Sequence, residues 1–89
     1  MIISKRATYS GRVQGVGFRY TAQRLASGFP VAGYVRNLSN GNVELVAEGE
    51  ADQVQAFLDA VARRMAHYIH ETAVVEEPPA GYQGFGIRY

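Results

Sequence analysis

The chain contains no cysteine, which removes disulfides, thiolate nucleophiles and thiolate metal ligands together. Histidine is nearly as scarce: His67 and His70 are the only two, spaced i, i+3. With no third ligand apparent they read as surface or half-buried residues rather than a metal centre, so no metal and no cofactor is expected. No run of about 18 apolar residues occurs, and no basic-then-apolar leader opens the chain, so the expectation is a cytoplasmic protein without a membrane segment. Acid is missing altogether from residues 1–43, which carry Lys5, Arg6, Arg12, Arg19, Arg24 and Arg36. All eight acids fall in residues 44–89, against Arg63, Arg64 and Arg88. The formal net charge of +1 therefore hides a basic first half and an acidic second half, and the basic half favours a small anionic ligand.

At 89 residues with 47% hydrophobic and 19% charged side chains, the composition is that of one ordinary globular domain spanning 1–89. Ala7 to Val13 alternates loosely and reads as a strand running into a glycine-rich loop. Phe18 to Ala26 carries Phe18, Ala22, Leu25 and Ala26 at helical spacing, with Gly28 and Pro30 beyond as stop signals. Val31 to Leu38 and Val43 to Glu48 flank Asn40-Gly41, a strong hairpin signal, with Glu44 and Glu48 expected to point outward. Ala51 to Ala66 places Val54, Phe57, Leu58, Val61 and Met65 on one helical face, with Asp52 in the favourable first turn. Ile69 to Glu76 and Phe85 to Tyr89 supply two more strands around the break at Pro78-Pro79-Ala80-Gly81. The order β-α-β-β-α-β, plus a short extra strand, predicts an α+β ferredoxin-like sandwich: a mixed, mostly antiparallel sheet with two helices on one face.

Gly11-Arg12-Val13-Gln14-Gly15-Val16-Gly17-Phe18-Arg19 lies between the first strand and the first helix. A turn with so few side chains lets backbone N–H groups crowd an anion, and the helix N-terminus adds unpaired donors and the positive end of its dipole. The same glycines would also serve a plain strand-to-helix turn needing positive φ. Arg19 weighs on the functional side, because a cation in the first turn of a helix meets like partial charge.

That loop, taken with Gly33-Tyr34-Val35-Arg36-Asn37 and Asn40-Gly41-Asn42-Val43-Glu44, resembles the acylphosphatase family. The resemblance runs on through the second helix to Gly84-Phe85-Gly86-Ile87-Arg88-Tyr89; it departs at Met65-Ala66-His67-Tyr68-Ile69, where the family often has a Gly-Pro-rich break. It implies hydrolysis of a small-molecule acyl phosphate to carboxylate and phosphate, without a metal. Arg19 and Asn37 match the family's catalytic positions: Arg19 to bind the phosphoryl oxygens through its planar fork, Asn37 to orient the attacking water. The backbone N–H groups of Gly15, Val16, Gly17, Phe18 and Arg19 would complete the cage. The terminal carboxylate of Tyr89 is expected to hold Arg19.

Arg12, Arg24 and Arg36 read as solvated charges, and most tyrosines and phenylalanines as packing residues. A rival function is a non-catalytic phosphate or carbamoyl-phosphate binding module, since the loop also resembles the acylphosphatase-like domain of carbamoyl-transferring maturation proteins. Those domains are normally fused to further sequence, so a chain standing alone favours the free enzyme, and a monomer is expected. Single-stranded nucleic-acid binding would use the same strand order, but the third strand, Asn42 to Glu48, lacks the basic and paired-aromatic pattern that such sheets carry.

Overall fold

Seven elements follow one another in the computed structural model, which describes residues 1–89: β1 (Ile2–Gly11), α1 (Phe18–Ala26), β2 (Ala32–Asn37), β3 (Val43–Glu50), α2 (Ala51–Arg64), β4 (Ile69–Glu77) and β5 (Phe85–Arg88). The five strands form one sheet in the order β4-β1-β3-β2-β5. All neighbours are antiparallel except β2 and β5, which run parallel. This is the expected sandwich, with the extra strand at an edge.

Strand period 2 sorts the residues between two faces. Ile3, Ala7 and Tyr9 of β1, Val35 of β2 and Val43, Leu45 and Ala47 of β3 point toward the helices and join one core cluster with Phe18, Ala22 and Ala26 of α1 and Val54, Phe57, Leu58 and Val61 of α2. Tyr9 packs against Phe18 with ring centroids 4.9 Å apart and the ring planes tilted by 48°, and Phe57 meets Phe29 and Phe85 at 5.8 and 5.3 Å. Burial raises the Tyr9 hydroxyl far above the usual tyrosine range. No helix is long and apolar enough to cross a membrane.

Three expectations change. The first strand begins at Ile2, not Ala7, because Ser4, Lys5 and Arg6 each pair with both β3 and β4, which makes this polar stretch part of a central strand. α2 stops at Arg64 rather than Ala66. Met65 stays buried, Tyr68 and Ile69 donate their N–H groups to its carbonyl at 2.9 and 3.2 Å, and Tyr68 and Ile69 pack on the core. The departure from the family pattern is therefore a hydrogen-bonded turn with an apolar underside.

The third correction concerns Glu44 and Glu48, which point away from the helices but are buried, at 6% and 7% exposure. Glu44 accepts from the Tyr34 hydroxyl at 2.8 Å and from Arg36 Nε at 2.9 Å. Arg36 is thus an ion-pair partner and not a free solvated charge. Glu48 accepts from the backbone N–H groups of Ala80, Gly81 and Tyr82 at 2.7, 2.9 and 3.2 Å, which folds the segment before β5 over the back of the sheet. Most tyrosines and phenylalanines pack as expected; Tyr20 and Tyr89 are the exceptions, largely exposed and outside the core.

Candidate active site

Because β1, β2 and β5 run in the same direction, their C-terminal ends meet the N-terminus of α1 at one end of the sheet. There, a cavity of about 240 Å³ is lined by Val13, Gly15, Gly17, Phe18, Arg19, Tyr20, Asn37, Ile87 and Tyr89. Topology thus brings together Arg19 and Asn37, which are 18 positions apart in the chain and belong to different elements. Asn37 is the last residue of β2 and shares the helix-facing side with Val35, so its amide is directed to the cavity side of the sheet.

The loop owes its shape to glycine. Gly15 and Gly17 have φ of 76° and 77°, and a Cβ on either would meet nothing within 4 Å, so backbone conformation and not crowding by the chain demands glycine there. Gly11 differs: a Cβ would lie 2.6 Å from the Tyr68 carbonyl oxygen and 2.7 Å from the His70 nitrogen, so this glycine serves the close pairing of β1 with β4, at the point where their register shifts, and not the cavity.

Gly17 caps α1 in a left-handed conformation and contributes no side-chain oxygen; its carbonyl accepts from Thr21 N–H at 2.9 Å. No acid stands in the first turn. From Gly15 to Tyr20, no backbone N–H is taken by any group of the chain. A helix start with neither cap nor acid leaves its donors and positive dipole end to an external anion. Arg19 adds a formal positive charge and makes no salt bridge with any acid. Its guanidinium carbon lies 4.9 Å from the centroid of the Tyr89 ring. The contact foreseen with Tyr89 exists, but it is made by the ring and not by the terminal carboxylate.

Of the expected site residues, Gly15, Gly17, Phe18, Arg19 and Asn37 all stand on the cavity wall. Val16 does not: its side chain packs against the core, leaving only its N–H to serve the loop. Sequence reasoning missed Tyr20 and Ile87. The signal for Tyr20 was available, since a tyrosine one position after Arg19 falls off the apolar stripe of α1. Ile87 could be found only from the parallel pairing of β5 with β2. His67 and His70 are exposed and lie outside the cavity.

No Asp, Glu or His side chain lines this cavity. Its donors suit a compact dianion bearing several oxygens, and a phosphoryl group is a biological anion of that size and charge.

Comparison with known proteins agrees. The acylphosphatase family model matches residues 5–87. An acylphosphatase of Thermotoga petrophila is 42% identical over 80 residues, covering 89% of each chain. The crystal structure of acylphosphatase from Bacillus subtilis superimposes with a TM-score of 0.87 at 36% identity, covering 100% of both chains. A full-length HypF in its phosphate- and nucleotide-bound form matches all of this chain with a TM-score of 0.83 at 26% identity, over 12% of its own length. With sequence, architecture and an anion-seeking cavity in accord over nearly its whole length, the chain belongs to the acylphosphatase family, the enzymes that hydrolyse acyl phosphates.

Proposed function

We propose that acyl phosphate hydrolysis here is carried by Arg19, Asn37 and the backbone N–H groups of Gly15, Val16, Gly17, Phe18 and Arg19. One observation carries the assignment: unpaired amides, an arginine without an acidic partner and the amide of Asn37 converge on one cavity. The guanidinium fork takes two phosphoryl oxygens and the loop amides take the remaining one, offsetting the dianion's charge in the ground state and the transition state.

A carboxamide can accept a hydrogen bond from water and donate one to phosphate, but it cannot remove a proton near neutral pH. Asn37 therefore orients the nucleophile without acting as a base. In the step that follows, the water oxygen bonds to phosphorus in line with the leaving group. The phosphorus–acyl oxygen bond breaks with its electron pair going to the carboxylate, and a water proton passes to a phosphoryl oxygen. Because the carboxylate is a weak base, it leaves without protonation, and no general acid is required.

The same proposal takes residues 1–89 as one domain acting as a cytoplasmic monomer on a small acyl phosphate, with no nucleic-acid or membrane partner. A single core cluster supports the domain reading.

The test is hydrolysis of benzoyl phosphate under excess chelator by wild type, Arg19→Ala and Asn37→Ala. Turnover that survives chelation and collapses in both folded variants supports the assignment. Inorganic phosphate binding that depends on Arg19 without any turnover would support the non-catalytic binding module instead. A rate profile governed by a group titrating near pH 6.5 would count against a mechanism without a histidine.

A further inference from the structure

Gln14 stands between the two halves of the site and belongs to neither. Its side chain is half-buried, and its amide nitrogen donates to the carbonyls of Leu38 at 2.8 Å and Asn42 at 2.9 Å. These carbonyls close the mouth of the turn between β2 and β3. Leu38 N–H also donates to Asn42 at 2.8 Å, Gly41 N–H to Leu38 at 3.2 Å, and Asn42 N–H to Asn40 Oδ1 at 3.0 Å. Leu38 directly follows Asn37, and Gln14 directly precedes Gly15. No other hydrogen bond between side chains, or between side chain and backbone, joins the loop to β2 or to its turn.

A primary amide carries two N–H groups on one nitrogen, which suits two converging carbonyls. The glycines that follow have no side chain with which to anchor the loop, so this pair of bonds is a specific link across the cavity. In-line attack needs water and phosphorus in register, and a displacement of about 1 Å can cost on the order of 10²-fold in rate.

We propose that Gln14 is a positioning residue that sets the distance between the phosphate loop and Asn37, and so the alignment of water with the phosphoryl group. The inference rests on the roles given to Asn37 and the loop under Proposed function. Gln14 itself touches neither water nor substrate in this scheme.

A residue that merely strengthens the turn would lower stability, whereas one that positions Asn37 must act on kcat through Asn37. Kinetics with benzoyl phosphate on Gln14→Leu, Asn37→Ala and the double variant separate the two. Gln14→Leu is expected to lower kcat by about 10- to 100-fold while KM and inhibition by inorganic phosphate move less than about threefold, because Arg19 and the loop amides remain. In the Asn37→Ala background the same substitution should change kcat little. Equal losses of kcat in both backgrounds would overturn the proposal, as would a loss of phosphate inhibition matching the loss of kcat.

Gln14→Glu gives a second reading if the leucine variant folds poorly. It keeps the shape but sets carboxylate oxygens against two carbonyl oxygens, and only its protonated form can donate to one of them. Its kcat relative to wild type should therefore rise as pH falls; a ratio flat with pH would overturn the positioning role. If Asn37→Ala alone leaves kcat unchanged, the catalytic reading falls and this inference with it. If Asn37→Ala is impaired but the two substitutions are additive, only the inference about Gln14 falls.

Discussion

Two clusters of backbone N–H groups sit on this sheet, one at the start of α1 and the other behind β3. At the first, the N–H groups from Gly15 to Tyr20 have no partner in the chain. At the second, the N–H groups of Ala80, Gly81 and Tyr82 converge on Glu48, and the chain supplies its own anion. The local chemistry is similar, since each is a glycine-containing segment presenting successive donors to oxygen. What separates a structural clasp from a binding site is whether a carboxylate of the chain reaches it. The acid-free first 43 residues leave the α1 cluster without one nearby in sequence, whereas β3 places Glu48 beneath the other. Arg19 carries the contrast further, standing without an acidic partner while Arg36 is paired with Glu44.

The sharpest way to break the comparison is to remove the charge that marks the open cluster. Arg19→Ala should lower kcat/KM for an acyl phosphate by on the order of 10³-fold or more while the variant stays folded, since Arg19 lies outside the core cluster. Inorganic phosphate should raise the Tm of wild type and leave that of Arg19→Ala nearly unchanged, because only a ligand that binds the folded state stabilises it. Asn37→Ala should cost on the order of 10²- to 10³-fold in kcat, the usual loss for one preorganised polar group, with phosphate binding retained. Unfolding of that variant by circular dichroism would show that Asn37 is structural.

At the closed cluster the expected effects are on stability and not on the chemical step. Glu48→Ala leaves three donors without an acceptor and should destabilise the fold by about 2 to 3 kcal/mol in urea unfolding. The hydrogen bonds from Ala80, Gly81 and Tyr82 hold the Glu48 carboxyl below the usual carboxylate range, against the opposing effect of burial. The stability it contributes is therefore present above its unfolded-state value and lost as pH falls through the lower folded-state value. Glu48→Gln should flatten that part of the acid-unfolding curve; an unchanged curve would mean that another carboxylate governs it.

The smallest effect belongs to Tyr89. Removing its ring from Arg19 by Tyr89→Leu should weaken inorganic phosphate inhibition by about two- to fivefold, the worth of an exposed cation–π contact. No change would leave the ring a bystander on the cavity wall.

The contrast between the two clusters also explains which parts of the protein were legible in its sequence. The boundaries of α1 were readable because helix period and stop signals are local, and Asn40-Gly41 announced its turn for the same reason. The loop and Asn37 could be named from the resemblance of two short segments. Glu44 and Glu48 were misread because strand alternation tells which face a residue takes but not what covers that face. The cover over Glu48 comes from residues 80–82, more than thirty positions away. Arg36 was misread with them, since its partner lies across the hairpin. The early start of β1 was hidden because Lys5 and Arg6 are charged, and only neighbours on both sides make the strand central.

By itself, then, the sequence determined the order and type of the elements, the glycine geometry of the loop and the identity of the candidate catalytic pair. The first two depend on periodicity and turn chemistry within a short stretch of chain, and the pair rests on the family resemblance of two such stretches. Only the tertiary structure decided which donor cluster is filled and which is left open, that Arg19 and Asn37 share one cavity, and that Gln14 joins their two supports. These follow from strand order and register, because pairing across the sheet sets which distant groups come within hydrogen-bonding reach.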